Sequence, residues 1–258
     1  MRLSDAVAVR PISDGTFTYD VPSSFGQGKA TFGGLVLGAL VNAMKATLGV
    51  ARPLRSLQAE LLGAPRPGPS TIHVRVLRKS STMETLSAEL HQDGITTHAV
   101  GVFGDARPIA DRVLPTLTLP SFDVPAMPRE APFAPEFTRH FEYRPIGPLP
   151  FAGSAPAPVT GWVRPREATA HDDALLMMLV DAWWLAAFVS MKAPRPAVTL
   201  GFALDVHGDF VGLPDDAPFY HRGELIALAD GYGTETRELW GPDGRLIALN
   251  RQTIVIVK

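Results

Sequence analysis

One order of segments occurs twice along this chain: a short strand, a long apolar helix, then antiparallel strands closed by a tight hairpin. In the first copy "GTFTYD" (15–20) reads as a strand. "FGQGKATFGGLVLGALVNAMKATLG" (25–49) reads as a glycine-rich entry to an apolar helix that ends at Gly49. Residues 55–62, 70–80, 83–94 and 95–103 have strand composition, with "QDG" as the hairpin turn between the last two. The second copy begins with extended segments at 140–147 and 159–167. "HDDALLMMLVDAWWLAAFVSM" (171–191) is its helix, with Asp172 or Asp173 as N-cap. Strands at 197–207, 221–233, 234–246 and 247–257 follow, with "PDG" as the hairpin turn. "GGLVLGALVNAM" lies over "DDALLMMLVDAW", and "SLQAELL" (56–62) over "TLGFALD" (199–205).

A helix apolar on nearly every side must be covered on most of its surface. A curved antiparallel sheet folded round it does this, and two such units can join their sheets edge to edge. The expected class is therefore α+β, a tandem or double hotdog. Residues 1–105 form the first unit and 140–258 the second. Prolines crowd the stretch between them, which argues against regular structure, so 106–139 is expected to be a linker.

The totals narrow the function. A net charge of −2 without a basic block gives no electrostatic footprint for nucleic acid. The absence of cysteine removes disulfides, thiolate metal sites and a cysteine nucleophile. The N-terminal residues show no apolar signal-peptide core, so a cytoplasmic location is expected. The apolar run at 174–189 is too short and too interrupted to cross a bilayer, and no membrane association is expected.

That run contains one charged residue, Asp181. Its helical neighbours Met177, Met178, Trp184 and Leu185 offer no cation. An ionised, unpaired carboxylate at that depth would cost several kcal/mol or titrate upward. Two readings stay open: Asp181 accepts bonds from a neighbouring strand's amides, or it does chemistry. The matching position in the first copy is Asn42, polar but uncharged. Thr199, aligned with Ser56, and Gln252, aligned near Val102, add a hydroxyl and an amide that could hold one water with Asp181. Gly33 and Gly34 begin the first helix, where unpaired N–H groups and the positive dipole end suit a developing oxyanion.

Other chemistries find little footing. The glycines of "FGQGKATFGG" fit neither nucleotide-loop pattern. The seven histidines, His73, His91, His98, His140, His171, His207 and His221, form no close ligand pair, and "HDD" is better read as a cap than as a metal cluster. No GxSxG elbow is present. Met177, Met178, Trp183 and Trp184 read as core or as pocket wall.

Three stretches, "ATFGGLVLGALVNAM", "MLVDAWW" and "YGTETRELWGPDGRLIALNRQTIVI", resemble the acyl-CoA thioesterases of the bacterial thioesterase II type. That family carries two hotdogs in tandem and hydrolyses fatty acyl-CoA thioesters without a metal, a cofactor or a covalent intermediate. The resemblance implies that Asp181, Thr199 and Gln252 orient the attacking water. Gly34 would polarise the thioester carbonyl, and the partner would be an acyl-CoA substrate. A His and an Asp that follow the family's Thr are here Phe202 and Gly201. A homo-oligomer, dimer or higher, is expected because pairing would protect sheet edges. Two rival functions share the fold. A hotdog hydratase or dehydratase would need a His paired with an acid at short spacing, often inside a G-D-x-N-P-x-H stretch, and this chain has no such stretch. A non-catalytic hotdog would bind acyl-CoA or another apolar ligand without cleaving it.

Overall fold

A computed structural model describes residues 1–107, 113–131 and 134–257. The first half contains helix α1 (Leu3–Ala6), strands β1 (Arg10–Ser13) and β2 (Thr16–Val21), and a two-residue ladder of β3 (Gly26–Gln27) with β4 (Ala30–Thr31). Helix α2 (Gly33–Thr47) follows, then β5 (Leu54–Leu61), β6 (Gly68–Lys79), β7 (Met83–His91) and β8 (Ile95–Gly104). The second half has β9 (Phe141–Pro145), β10 (Val159–Pro165), α3 (Asp173–Asp181), β11 (Ala197–Val206), β12 (Phe219–Ala229), β13 (Tyr232–Trp240) and β14 (Leu246–Ile256).

Twelve of these strands form one antiparallel sheet in the order β1-β2-β6-β7-β8-β5-β11-β14-β13-β12-β10-β9. Read inward from either edge, the two halves match strand for strand, and β5 against β11 is the seam. The irregularities match as well. β11 and β14 shift register between Thr199 and Gly201, as β5 and β8 do between Leu54 and Ser56. β12 and β13 shift between Leu225 and Ala227, as β6 and β7 do between Val76 and Arg78. A bulge inserts one residue and bends its strand. Bends at the same places let both halves curve round a helix in the same way. The double hotdog inferred from the sequence is the architecture observed.

Matching bulge to bulge revises one alignment. Thr199 lies over Leu54, not Ser56, and Gln252 lies over Gly101, not Val102. The bulges displace the ladder by a residue, which the sequence does not show.

Helix α2 is buried along almost its whole length, from Gly34 to Met44 except Asn42. It stops at Thr47 on an extended Leu48, so Gly49 is not the cap that the sequence suggested. Helix α3 packs against it in the opposite direction. Gly38 faces the carbonyl of Ala174, and Gly34 faces the Met177 carbonyl and Asp181. Lys45 in the last turn of α2 pairs with Asp173 in the first turn of α3 at 2.6 Å, each where the helix dipole favours its charge. Asp172 is the N-cap, its carboxylate accepting from the Leu175 N–H at 2.8 Å.

The second helix is shorter than its apolar run. α3 ends at Asp181, and after Trp183, Trp184 and an extended Leu185 the chain makes a 3-10 turn at Ala186–Ser190. No glycine or proline breaks it. Side chains from the sheet take up the freed backbone groups instead. Tyr143 Oη donates to the Ala182 carbonyl (3.0 Å), Arg237 Nη1 to those of Val180 and Asp181 (3.4 and 3.5 Å), and Glu235 Oε1 accepts from the Ala187 N–H (3.0 Å). By length and apolarity the stretch Asp173–Ser190 passes for a membrane crossing, against the expectation that the run is too short, but 67% of it is buried inside the protein.

Candidate active site

The break after α3 turns Asp181 toward the start of α2. Its Oδ2 accepts the Gly34 N–H at 2.8 Å, and its Oδ1 accepts Gln252 Nε2 at 2.9 Å. Gln252 Oε1 in turn accepts Thr199 Oγ1–H at 3.0 Å. Three side chains from α3, β11 and β14 thus form one chain of bonds, tied at its far end to the first helix. The structure brings Asp181, Thr199, Gln252 and Gly34 together, and Gly33 adjoins them: a Cβ there would lie 3.0 Å from Asp181 Oδ2.

Each position has a local cause. Gln252 shares the inward phase of β14 with Ala248, Asn250 and Ile254 and is fully buried. Thr199 sits at the bulge of β11, where the register shift sets it beside Gln252. Asp181 is the last residue of its helix. Its side chain keeps 13% exposure, while the partner side chains behind it keep 2% or less. The Asp181 side chain is thus the least covered of these charged groups.

The Gly34 N–H stands in the first turn of α2, as the sequence placed it. It is already bonded to Asp181, so it orients the carboxylate and is not free for a substrate oxygen.

Two further residues complete the surroundings, and sequence reasoning missed both. Arg237 Nη1 stands 3.5 Å from Asp181 Oδ1, and Arg237 Nη2 3.4 Å from Glu235 Oε2. The signal was present: β13 alternates inward and outward, and the inward Gly233 and Leu239 put Glu235 and Arg237 inward too. Burial pushes the Asp181 carboxyl above its ordinary pKa, and Arg237, the Gln252 amide and the Gly34 N–H pull it back in part. Burial and the Asp181 charge push the Tyr143 hydroxyl well up. Burial, then Arg237, hold His221 well below the ordinary histidine range. That ring is stacked on Trp183 with 5.1 Å between centroids, and neither of its nitrogens has a partner among the described residues.

In the first half the matching positions carry no such chemistry. Leu54, Leu86, Ala88 and Gly101 stand where Thr199, Glu235, Arg237 and Gln252 stand in the second. Asn42 donates to the Val7 carbonyl (3.1 Å) and so ties α2 to the N-terminal segment. Phe202 and Gly201, the departures noted behind Thr199, lie in the seam opposite Ala59 and Glu60. Two small cavities lie apart from the network. One, of about 30 Å³, is lined by Arg129, Arg139, His140 and Arg166 with Glu167, Met1 and Leu3. The other, of about 100 Å³, follows the seam at Gln58–Glu60 and Gly201–Ala203 with Arg251 and Thr253.

Fold and network together define a tandem hotdog with one buried, polar-lined carboxylate at the junction of its two helices. Known proteins share the fold. Residues 21–104 match the model of the acyl-CoA thioesterase N-terminal domain, and residues 119–256 that of the acyl-CoA thioesterase C-terminal domain. The chain belongs to the acyl-CoA thioesterase family and is a thioester hydrolase. A hot dog-fold protein from Alicyclobacillus acidocaldarius superposes with a TM-score of 0.87 at 21% identity, covering 99% of this chain and 98% of that one. The tesB protein of Mycobacterium avium subsp. paratuberculosis gives 0.78 at 18% identity, with 99% and 98% covered. Acyl-CoA thioesterase II TesB2 of Mycobacterium marinum gives 0.77 at 16%, again with 99% and 98% covered. A search of curated protein sequences finds no match.

Proposed function

We propose that this chain hydrolyses acyl-CoA to free acid and CoA with a water molecule activated by Asp181 and held by Thr199 and Gln252. The observation that carries the reading is the unbroken run of hydrogen bonds from Thr199 through Gln252 to Asp181 and on to Gly34. It leaves the carboxylate oriented, with its side chain still partly exposed.

Asp181 takes a proton from the water as its oxygen adds to the thioester carbonyl. The C–S bond of the tetrahedral adduct then breaks, and the proton passes from Asp181 to the departing thiolate. A thiol of pKa near 8.5 leaves readily, so no strong general acid is required. Thr199 and Gln252 fix the geometry and offset the carboxylate's desolvation. With the Gly34 N–H held by Asp181, the oxyanion donor falls to Gly33, the adjoining unpaired amide of the helix start. Met177, Trp183 and Trp184 beside Asp181 suit an apolar acyl group. The reading includes self-association, because the sheet ends in two edge strands, β1 and β9.

Release of free thiol from acyl-CoAs of graded chain length tests the reaction and the substrate together. Asp181→Asn is expected to lower kcat by about 10²–10⁴-fold, the usual worth of a positioned base, with the fold retained. Full activity in that variant, or no thiol release by the wild type from any acyl-CoA, would remove the assignment.

A further inference from the structure

Glu235 and Arg237 form a buried ion pair on β13 that water cannot stabilise, their side chains 1% and 2% exposed. A pair at such depth contributes little stability compared with apolar residues of similar size. The matching strand shows the apolar solution at the same two positions, with Leu86 and Ala88. A pair kept under those conditions needs a reason other than packing.

Its contacts supply one. The guanidinium lies within 3.5 Å of the Val180 carbonyl, the Asp181 carbonyl and Asp181 Oδ1, and within 3.4 Å of Glu235 Oε2. Glu235 reaches past it to the Ala187 N–H. The two side chains therefore grip the chain on both sides of the break that ends α3. Without that grip only the Tyr143 bond to the Ala182 carbonyl is left to stop the apolar run 174–189 as a helix. Asp181 would then turn away from Gly34 and Gln252.

We propose that Arg237, braced by Glu235, is the positioning residue of this active site: it holds the break after Asp181 and sets the charge of the Asp181 carboxylate. The inference rests on Asp181 being the base. Among the described residues the groups facing Asp181 are few. β13 contributes Arg237 and Glu235, β9 contributes Tyr143, and β12 contributes His221 across Trp183. β11 and β14 bring only Thr199 and Gln252, and α2 brings the Gly34 N–H. Among them Arg237 is the one cation, so its removal has a defined sign: the carboxylate binds its proton more tightly.

The test is the pH dependence of kcat/KM in thiol release for wild type, Arg237→Met, Arg237→Lys and Glu235→Gln, with Asp181→Asn alongside. An opposite charge this close lowers a carboxylate pKa by about 1–3 units. Arg237→Met is thus expected to move the acid limb upward by about that much, to lower kcat at least roughly tenfold, and to change KM little. Arg237→Lys keeps the charge and loses the planar fork. It is expected to restore the limb while kcat stays reduced. Glu235→Gln removes the countercharge and is expected to move the limb downward, and it decides the matter where Arg237→Met does not fold. A folded Arg237→Met whose limb stays in place, an Arg237→Lys no different from it, or an upward shift in Glu235→Gln overturns the proposal. If Asp181→Asn is inactive while the limb fails to move, this inference alone falls. If Asp181→Asn is active, the catalytic assignment falls with it.

Discussion

Gly34→Ala isolates the contact between the start of α2 and the end of α3. The position lies in the first turn of α2 with an ordinary helical backbone, and alanine there would by itself favour the helix by about 0.5–1 kcal/mol. The structure opposes that gain. A Cβ at Gly34 would sit 2.7 Å from Phe32 Cζ, 2.9 Å from Asp181 Cβ and 2.9 Å from the Met177 carbonyl oxygen. Carbon contacts relax to about 3.5–4.0 Å. One of the three partners is α3 backbone, and a second is the carboxylate's own stem. Both helices must therefore part by most of an ångström. Forcing a methyl into a packed core costs about 1–3 kcal/mol. The net loss is then about 0–2.5 kcal/mol, or up to about 10 °C in Tm for a chain of this size. Displacement of Asp181 by an ångström adds a fall of about 100-fold in kcat. Thermal unfolding followed by circular dichroism, together with thiol release, reads both effects. Gly38→Ala is the control. Its Cβ would meet the Ala174 carbonyl at 3.0 Å and Val7 at 3.2 Å, away from Asp181, so stability should fall with kcat largely kept. A Gly34→Ala protein as stable and as active as the wild type would show that the helix contact does not position the carboxylate.

Two further outcomes follow from the same network. Because burial raises the folded-state pKa of Asp181, its contribution to stability is greatest below the unfolded carboxylate value, about 3.9, and is lost as pH rises through the folded value. Relative to wild type, Asp181→Asn should therefore gain stability between pH 4 and pH 7, and melting curves at the two pH values showing the reverse would contradict the burial argument. Thr199→Val removes one neutral hydrogen bond and should cost about tenfold in kcat. Gln252→Leu removes a donor to a charged group and should cost about 10–150-fold; a larger loss in Thr199→Val would place Thr199, not Gln252, next to the reacting water.

The repeat, the buried α2 and both hairpins were legible because they rest on local patterns: apolar periodicity, and Asp-Gly turns such as Asp93–Gly94 with φ of 57° and 127°. Asp181 was legible as an anomaly, one carboxylate in an apolar run. The break that follows it was not. Nothing between residues 174 and 189 stops a helix, and the groups that do so, Tyr143, Glu235 and Arg237, lie on strands far away in sequence. Register was hidden for a similar reason. A bulge leaves no mark in residue type, so Thr199 was set over Ser56 when the ladder sets it over Leu54. Glu235 and Arg237 were within reach through the inward phase of β13.

The asymmetry between the halves argues for one active site per chain, built by both. The two helices run in opposite directions, so their junction has two ends. At one end the start of α2 meets Asp181, with Thr199, Gln252, Glu235 and Arg237 behind it. At the other, Lys45 neutralises Asp173, Asn42 is bonded to the Val7 carbonyl, and Val7 packs against Gly38. The residues behind that end are Leu54, Leu86, Ala88 and Gly101, which can hold neither a water nor a charge. The first half nevertheless contributes the Gly34 N–H, and without it Asp181 Oδ2 has no donor among the described residues. A carboxylate at this depth needs every one of its partners, because each missing bond adds to a desolvation cost that burial has already raised. The second half alone thus holds the proposed base but not every partner that keeps it ionised and aimed.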